Sequence, residues 1–393
     1  MGNTNEFNPH YDETFDNSHE LYSELRKQCP VAHSDAFGGF WALFKYDDVV
    51  KVQEDSETFI TSVLNVVPPA TRNQGRRAPL HYDPPEHRMY REHINPVFAN
   101  SQISSLERRI RATATDGLRP LVERGVFDYT QEFAEHFAAQ CFAMILNLPM
   151  EEMARSRKAQ VNYYRAQVKL DRENVVKWSD ELYDISREIV TRRKQSLLDP
   201  STDLISSLLT ANQRGGDISE EAVVGSIRQF LSAAQAAPQA VMGSIVVHLC
   251  RDQQLQQTLR ANPDRIPDAV EEFLRLYAPY RVFARSAVSD VTIGGRLIKK
   301  GEPITMIFPS ANRDEDVFDR PHEFDMDRKP NRHIAFGRGA HQCPAASLAR
   351  QELRTALAVL LELTSQFEAA GEVIMTDWLE FGPSSTPISV TVA

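Results

Sequence analysis

The chain has 393 residues, of which 42% are hydrophobic and 25% charged, and its formal net charge is −10. These proportions are typical of a globular protein, and the acidic balance argues against nucleic-acid binding, which normally needs a basic face. The first thirty residues are polar and contain no apolar stretch, so we expect neither a leader nor a membrane anchor, and a cytoplasmic location.

Four cysteines lie far apart in the chain, at positions 29, 141, 250 and 343, and none belongs to a C-x-x-C pair. This spacing argues against a structural zinc site and against a disulfide framework. Cys141 and Cys250 lie in apolar runs, where a buried and inert thiol is the usual outcome. Cys343, in contrast, follows two closely spaced glycines.

The N-terminal part of the chain predicts a strand, a helix and a long loop. Residues 40–53 begin as an apolar run and end as an amphipathic turn, which indicates a strand followed by a short helix. Residues 61–79 are rich in Pro, Asn and Gly and predict a loop of a length that is often functional. In residues 83–91 two prolines start a helix on which His87 and Arg91 share one face. Taken alone, that pair is better explained as an exposed basic face.

The central part of the chain is helical by its apolar spacing, from residue 101 to about 209 and again from 220 to about 249. The second of these helices is long and apolar and contains a run of small residues that ends at a proline. A proline in mid-helix removes a backbone donor and predicts a bend. The run consists of Ala233, Ala234, Gln235, Ala236, Ala237 and Pro238.

The C-terminal part mixes helical and β signals. Glu272 and Arg275 lie three residues apart in a helical pattern, which allows local pairing but is a weak signal alone. Two apolar runs around a Gly-Gly turn predict a hairpin, and the last residues predict a strand. We therefore expect a mainly α fold with small β-sheet regions (α+β), as a single domain over residues 1–393. The β-containing parts are expected near 37–62, 286–308 and 373–393.

The most informative stretch is FGRGAHQCPAASLA, residues 336–349. Gly337 and Gly339 allow a tight turn and a close approach to a flat ligand. Cys343 precedes a helix-like run, and a helix start lowers the pKa of a nearby thiol. Arg338 and His341 are cations or donors suited to carboxylates.

This stretch resembles the cysteine loop of the cytochrome P450 family of haem-thiolate monooxygenases, whose pattern is F-G-x-G-x-H-x-C. The fixed positions are occupied by Phe336, Gly337, Gly339, His341 and Cys343. The alternative, an inert buried cysteine, does not account for the full match. The resemblance covers nearly the whole chain and implies a triangular-prism-like helical domain around a buried haem b (iron protoporphyrin IX).

The resemblance also implies roles for individual residues. Cys343 is the expected axial ligand of the haem iron, and Phe336 gives one apolar wall. The expected propionate contacts are His87, Arg91, Arg285 and His341. The expected buried ion network is formed by Glu272, Arg275 and Arg328. The expected substrate pocket is lined by Val66, Phe230, Ala233, Ala234, Val282, Phe283 and Phe381.

One departure from the family pattern concerns catalysis. Where the family carries an acid and an alcohol on its central helix, this chain has Ala236 and Ala237, which cannot relay protons. Four alternatives to this proton relay stay open. Protons could come from water held by the backbone at Pro238, from an amide of Gln235 or Gln239, or from a polar group of the substrate, or the oxidant could be peroxide. If the amide of Gln235 orders water, Gln235→Ala should increase uncoupled peroxide release.

A second departure is Pro344, which follows the cysteine directly and has no N–H to donate to the sulfur. This makes the sulfur more electron-rich and the iron harder to reduce. The equally good alternative is that Pro344 only starts the helix.

The implied function is insertion of one oxygen atom from O2 into a small, largely hydrophobic substrate, by hydroxylation or O-demethylation. Electrons are expected from a ferredoxin and its reductase, or a flavodoxin, with no nucleic acid or membrane involved. Two alternatives stay open: a peroxide-driven oxygenase or oxidative coupling enzyme of secondary metabolism, and a non-catalytic haem protein that binds a small ligand. Five arginines are candidates for a ferredoxin docking face, or are merely solvated surface: Arg88, Arg108, Arg109, Arg350 and Arg354.

Overall fold

The computed structural model describes residues 6–10, 14–70, 75–213 and 218–393. Helices dominate this part of the chain. They are α1 (Asn17–Gln28), α2 (Tyr46–Glu54), α3 (Glu86–Ile94), α4 (Asn100–Ser105), α5 (Glu107–Arg124), α6 (Glu135–Leu146), α7 (Met150–Val168), α8 (Arg172–Gln195), α9 (Leu204–Gln213), α10 (Glu220–Arg251), α11 (Gln253–Ala261), α12 (Ile266–Leu276), α13 (Phe308–Ala311) and α14 (Ala346–Leu363).

The strands are short. They are β1 (Val31–Ser34), β2 (Phe40–Leu43), β3 (Phe59–Ile60), β4 (Val126–Asp128), β5 (Ala284–Ala287), β6 (Val291–Ile293), β7 (Arg296–Ile298), β8 (Pro303–Met306), β9 (Thr364–Ala369), β10 (Ile374–Met375), β11 (Pro383–Ser385) and β12 (Pro387–Val392). The largest sheet has the order β1-β2-β8-β5-β3, with β2 and β8 parallel and the other pairs antiparallel. A second sheet has the order β4-β12-β9, and β10-β11 and β6-β7 form two-stranded ribbons.

Side-chain caps define where several helices begin. Asp171 accepts a hydrogen bond from the backbone of Asn174 at the start of α8, and Ser219 accepts one from Ala222 at the start of α10. These caps satisfy backbone donors that the first helical turn leaves free.

Helix α10 forms the centre of the molecule and packs against α6, α7, α8 and α14. By length and composition it could cross a membrane, but 76% of its most apolar window is buried inside the protein. That burial is typical of the core helix of a globular protein. Helix α10 continues without interruption through Pro238.

The predicted fold class is confirmed, since the described chain is mostly helical with small sheets. Residues 40–53 form β2 and α2 as predicted, and the hairpin of β6 and β7 surrounds the Gly-Gly turn. Strands β1, β4 and β9 lie outside the ranges expected from sequence. Strand β4 has only three residues and pairs with β12, far away in the chain, so no local pattern reveals it.

Candidate active site

The cysteine loop is held against the C-terminal end of α2. Gly337 and Gly339 have φ values of +68° and +70°, which favour glycine. A Cβ on Gly339 would lie 2.5 Å from the carbonyl oxygen of Gln53, whereas one on Gly337 would meet only the Gln53 side chain, at 3.6 Å. The close approach at Gly339 is therefore to α2 rather than to a ligand.

Cys343 lies in the wall of one cavity, here called the main cavity, just before α14. Its backbone N–H donates to Phe336 O at 2.8 Å, which closes the loop. Burial raises the pKa of the Cys343 thiol, although the N–H of Ala345 donates to the sulfur and Arg91 and Arg350 oppose the shift. The expectation of a lowered pKa is wrong for the protein alone, because desolvation outweighs the helix start.

The cavity itself contains about 1460 Å³ of space free of protein atoms and has a mostly apolar wall. Helix α10 contributes small side chains to it, Ala233 and Ala237, together with Pro238. Phe336 from the cysteine loop also lines it. A wide apolar space with a sulfur in its wall suits a large flat ligand.

Four basic side chains converge on this cavity, two histidines and two arginines. The rings of His87 and His341 lie 4.2 Å apart, and Arg91 and Arg285 complete the group. Burial and the charge of Arg91 lower the pKa of His87 to about 4, and burial and the charge of Arg285 lower that of His341 to about 2. Burial also lowers the pKa of Arg285 to about 10.

Within the described ranges, no carboxylate forms an ion pair with any of these four side chains. The carboxylate of Asp83 is occupied by the backbone N–H groups of Thr61 and Ser62, at 2.7 and 3.1 Å. The buried Nε2 of His87 has no hydrogen-bond partner in this part of the chain. Arg285 is a buried guanidinium without an acid in this part of the chain, which calls for an anionic ligand group. The cavity thus fits haem, which is flat, apolar and carries two propionates.

The sequence model described as Cytochrome P450 matches residues 39–368. The chain belongs to the cytochrome P450 family. It is 30% identical to "Cytochrome P450 109" of Bacillus spizizenii, covering 94% of this chain and 91% of that protein. It is also 30% identical to "Mycinamicin IV hydroxylase/epoxidase" of Micromonospora griseorubida, covering 87% and 86% of the two chains.

Among solved structures, that of CYP109E1 from Bacillus megaterium in complex with testosterone has a TM-score of 0.86 to this P450, at 26% identity. The match covers 96% of this chain and 99% of the other. The protein is therefore a P450 monooxygenase with the P450 fold, and its family implies a haem-thiolate cofactor.

The structure separates the expected substrate-pocket residues. Phe230, Ala233 and Phe283 line the main cavity. Val66 and Val282 line a smaller neighbouring cavity that also includes Ala233 and Phe283. The side chain of Ala234 lies outside the described parts of the structure.

Phe381 does not reach either cavity, contrary to expectation. It is fully buried, with its ring 5.0 Å from that of His19 and 6.4 Å from that of Tyr22, both on α1. The N-terminal helix therefore occupies the space that Phe381 faces.

The expected role of Gln235 in ordering water is also not supported by its position. Its amide donates to Leu231 O at 3.2 Å and to Ser156 Oγ at 3.4 Å, and Gln235 does not line the cavity. Residues two apart point to different faces of a helix, so the face that presents Ala233 and Ala237 turns Gln235 away. Ala236 is likewise absent from the cavity wall, and Gln239 Oε1 accepts from Arg157 at 2.7 Å.

The three residues of the expected ion network, Glu272, Arg275 and Arg328, are in direct contact. Arg275 donates to both carboxylate oxygens of Glu272, at 2.9 and 2.7 Å, and Arg328 donates to one of them at 3.1 Å. Glu272 and Arg275 are fully buried. Arg275 also donates to the carbonyl of Asn312 at 3.0 Å, which ties α12 to the segment preceding the loop.

Sequence reasoning missed a second acidic centre beside this network. Glu271 accepts from Arg350 at 2.7 and 2.8 Å and from His333 at 3.1 Å. Burial opposes its ionisation, but these hydrogen bonds lower the pKa of Glu271 to about 2. Arg354 lies within 3.4 Å of the same carboxylate. Arg350 and Arg354 are thus engaged by Glu271, which weakens their assignment to a docking face.

Several other polar residues of the cavity walls gave no signal in the sequence. Gln53 and Glu352 line the main cavity, Arg77 and Glu380 line the smaller one, and Gln229 lines both. No motif singles them out, because each is placed by the packing of elements distant in sequence.

Proposed function

We propose that this P450 inserts one oxygen atom from O2 into a hydrophobic organic substrate held in the main cavity, by hydroxylation or O-demethylation. The observation that carries the proposal is the joint placement of Cys343, two arginines and two histidines around one largely apolar cavity. The relatives named above include a hydroxylase/epoxidase and a structure with bound testosterone. The testosterone complex favours a bulky hydrophobic substrate for this chain.

In this proposal the cofactor is haem b, and Cys343 would supply the thiolate that holds its iron. When bound, a thiolate-ligated haem supplies dioxygen activation and oxygen insertion. His87, Arg91, Arg285 and His341 hold the propionates, and Phe336 packs against the macrocycle. Glu272, Arg275 and Arg328 fix the segment from which the loop emerges.

Proton supply depends on groups other than an acid–alcohol pair. The described side chains that α10 presents to the cavity around this position are those of Ala233, Ala237 and Pro238, none of which carries a transferable proton, while the amide of Gln229 lies one turn earlier. Pro238 leaves the carbonyl four residues earlier without its helical donor. We assign a water held on that carbonyl, or a polar group of the substrate, to this task.

The electron donor is proposed to be a ferredoxin with its reductase, or a flavodoxin, in the cytoplasm. Arg88, Arg108 and Arg109 are exposed and have no ion pair within the described chain. In this proposal these exposed cations contribute to the docking of an acidic partner.

A peroxide-driven oxygenase or coupling enzyme is the second candidate, and the absence of an acid or a hydroxyl among the described α10 side chains that line the cavity favours it. Peroxide already carries the electrons and protons that the O2 reaction requires. A protein that binds ligands without turnover is the third possibility.

One experiment separates these functions. Ferric holoprotein is titrated with methoxylated aromatics, terpenes, fatty acids and cyclic dipeptides, with the Soret band as readout. The compound that binds is then incubated either with ferredoxin, reductase and NADPH or with peroxide alone. Product with the reductase system supports the main proposal. Product only with peroxide supports the second candidate, and binding without product in either system contradicts both.

A further inference from the structure

The smaller cavity, here called the side cavity, contains about 500 Å³ of space free of protein atoms. It shares Leu80, Gln229, Ala233, Tyr280 and Phe283 with the main cavity, so the two are neighbours through a common wall. Its own lining is more polar and includes Asn65, Arg77, Tyr163, Gln167 and Glu380.

Arg77 is the cation of the side cavity and is only 5% exposed. Its guanidinium makes no hydrogen bond or ion pair with any residue in the described ranges, and its buried Nε has no partner there. A buried guanidinium without an acid is strongly unfavourable. An arrangement of this kind is typical of a site whose anion arrives with a ligand.

Arg228 strengthens the positive potential behind the same wall. It is 1% exposed and lies 4.8 Å above the ring of Tyr163, a side-cavity residue. Its Nη1 donates to Ser232 Oγ at 2.9 Å, while its buried Nε and Nη2 have no partner among the described residues. Burial and the charge of Arg77 both lower the pKa of Arg228, to about 10, so the two cations are electrostatically coupled.

The neighbouring groups offer further hydrogen bonds. The buried Asn65 Nδ2, Tyr163 hydroxyl and Gln229 Oε1 all lack partners in the described part of the chain. Among the described residues that line the side cavity, Glu380 is the acid, and it forms no ion pair with Arg77. Burial raises the pKa of Glu380 to about 7, so much of it is neutral near neutral pH and able to donate.

We propose that the side cavity binds a carboxylate of the substrate, paired with the Arg77 guanidinium, while the apolar remainder of the substrate extends past Ala233 and Phe283 into the main cavity. This inference rests on the proposed function and adds a substrate class to it: amphiphilic carboxylates oxidised away from the acid group. A planar guanidinium with an adjacent amide donor matches a planar carboxylate.

The test uses a matched pair of probes, decanoate and decan-1-ol, which differ in charge at one end. Their affinities for the ferric holoenzyme are measured by isothermal titration calorimetry, and the Soret shift reports whether the chain reaches the haem. We expect decanoate to bind about tenfold or more tightly than the alcohol, the range of one charge-assisted hydrogen bond. In Arg77→Gln the preference should be lost because decanoate weakens and the alcohol does not.

Arg76→Gln is the matched control, since Arg76 is adjacent in sequence but half-exposed and donates to His81 O. This variant should keep the preference, and Arg77→Lys should keep part of it. Glu380→Gln should also keep the preference for decanoate. This result would show that Glu380 is not the ionic partner of Arg77.

Equal affinity for the two probes in the wild type, no decanoate binding, or a preference unchanged by Arg77→Gln would overturn the inference. These outcomes are independent of the proposed function. That function fails if the purified protein lacks the absorption spectrum of a thiolate-ligated haem, which is recorded before any titration.

Discussion

At the scale of single residues, the positions after Cys343 set how many backbone donors reach its sulfur. The N–H of Ala345 donates to the sulfur, whereas Pro344 has no N–H. Each such donor stabilises negative charge on sulfur and makes the iron easier to reduce. The sulfur of this P450 therefore has one potential donor fewer than a chain without proline at this position.

The first prediction follows from this difference. Pro344→Ala introduces an N–H beside the sulfur and should raise the haem reduction potential, as measured by potentiometry. Ala345→Gly keeps its N–H and serves as the control with little change. An unshifted potential in Pro344→Ala would leave Pro344 with the role of starting α14 only.

A second residue-scale prediction concerns the two glycines of the cysteine loop. Gly339→Ala combines an unfavourable positive φ, about 1–2 kcal/mol, with a Cβ 2.5 Å from Gln53 O. Gly337→Ala has the same backbone problem without the backbone contact. Thermal unfolding and haem content should show Gly339→Ala as the more damaging change. Equal effects of the two variants would mean that the contact with α2 is unimportant.

At the scale of elements, α12 is joined to the segment before the cysteine loop through one buried carboxylate. Glu272 accepts hydrogen bonds from Arg275, Arg328 and the Asn331 amide. Removing one partner of a buried charge group leaves the others uncompensated.

We therefore predict that Glu272→Ala lowers the free energy of unfolding by roughly 3–5 kcal/mol and reduces haem retention. The matched control is Glu323→Ala, because that carboxylate pairs with Arg320 at an exposed site, where an ion pair contributes about 0–1 kcal/mol. Denaturant titration measures both. Similar losses in the two variants would contradict a structural role for the buried network.

The packing of elements against one another explains which site residues could be predicted from the sequence and which could not. Residues 336–343 form one contiguous loop, so their pattern alone indicated the family. The direction in which the Gln235 side chain points depends on the rotation of α10 about its axis. The burial of Phe381 depends on its packing against α1, which is remote in sequence. The side cavity combines segments around residues 65–80, 163–167, 229–233 and 379–380, and no single segment carries its pattern.

At the scale of the whole molecule, buried ionisable groups link stability to pH. The clearest case is Glu380, whose pKa burial raises from 4.5 to about 7, while Arg157 and Arg281 oppose the shift and Asp377 adds to it. Between these two pH values the unfolded chain releases a proton that the folded protein retains. The folded state should therefore lose stability as pH rises through this window and change no further above it.

A shift of this size corresponds to roughly 3 kcal/mol. Glu380→Gln cannot titrate, so the stability difference between this variant and the wild type should grow in favour of the variant from pH 5 to pH 8. Thermal unfolding of both proteins across that range measures it. A difference that stays constant with pH would show that Glu380 titrates normally.

The central claim is that Cys343 supplies the thiolate ligand of a haem held in the main cavity. It is tested most directly by the absorption spectrum of the reduced, carbon monoxide-treated protein, recorded for the wild type, Cys343→Ser and Cys250→Ser. The account predicts the red-shifted Soret band of thiolate-ligated haem in the wild type and in Cys250→Ser, and its loss in Cys343→Ser. A folded wild-type protein that takes up no haem, or a band that survives in Cys343→Ser, would contradict it.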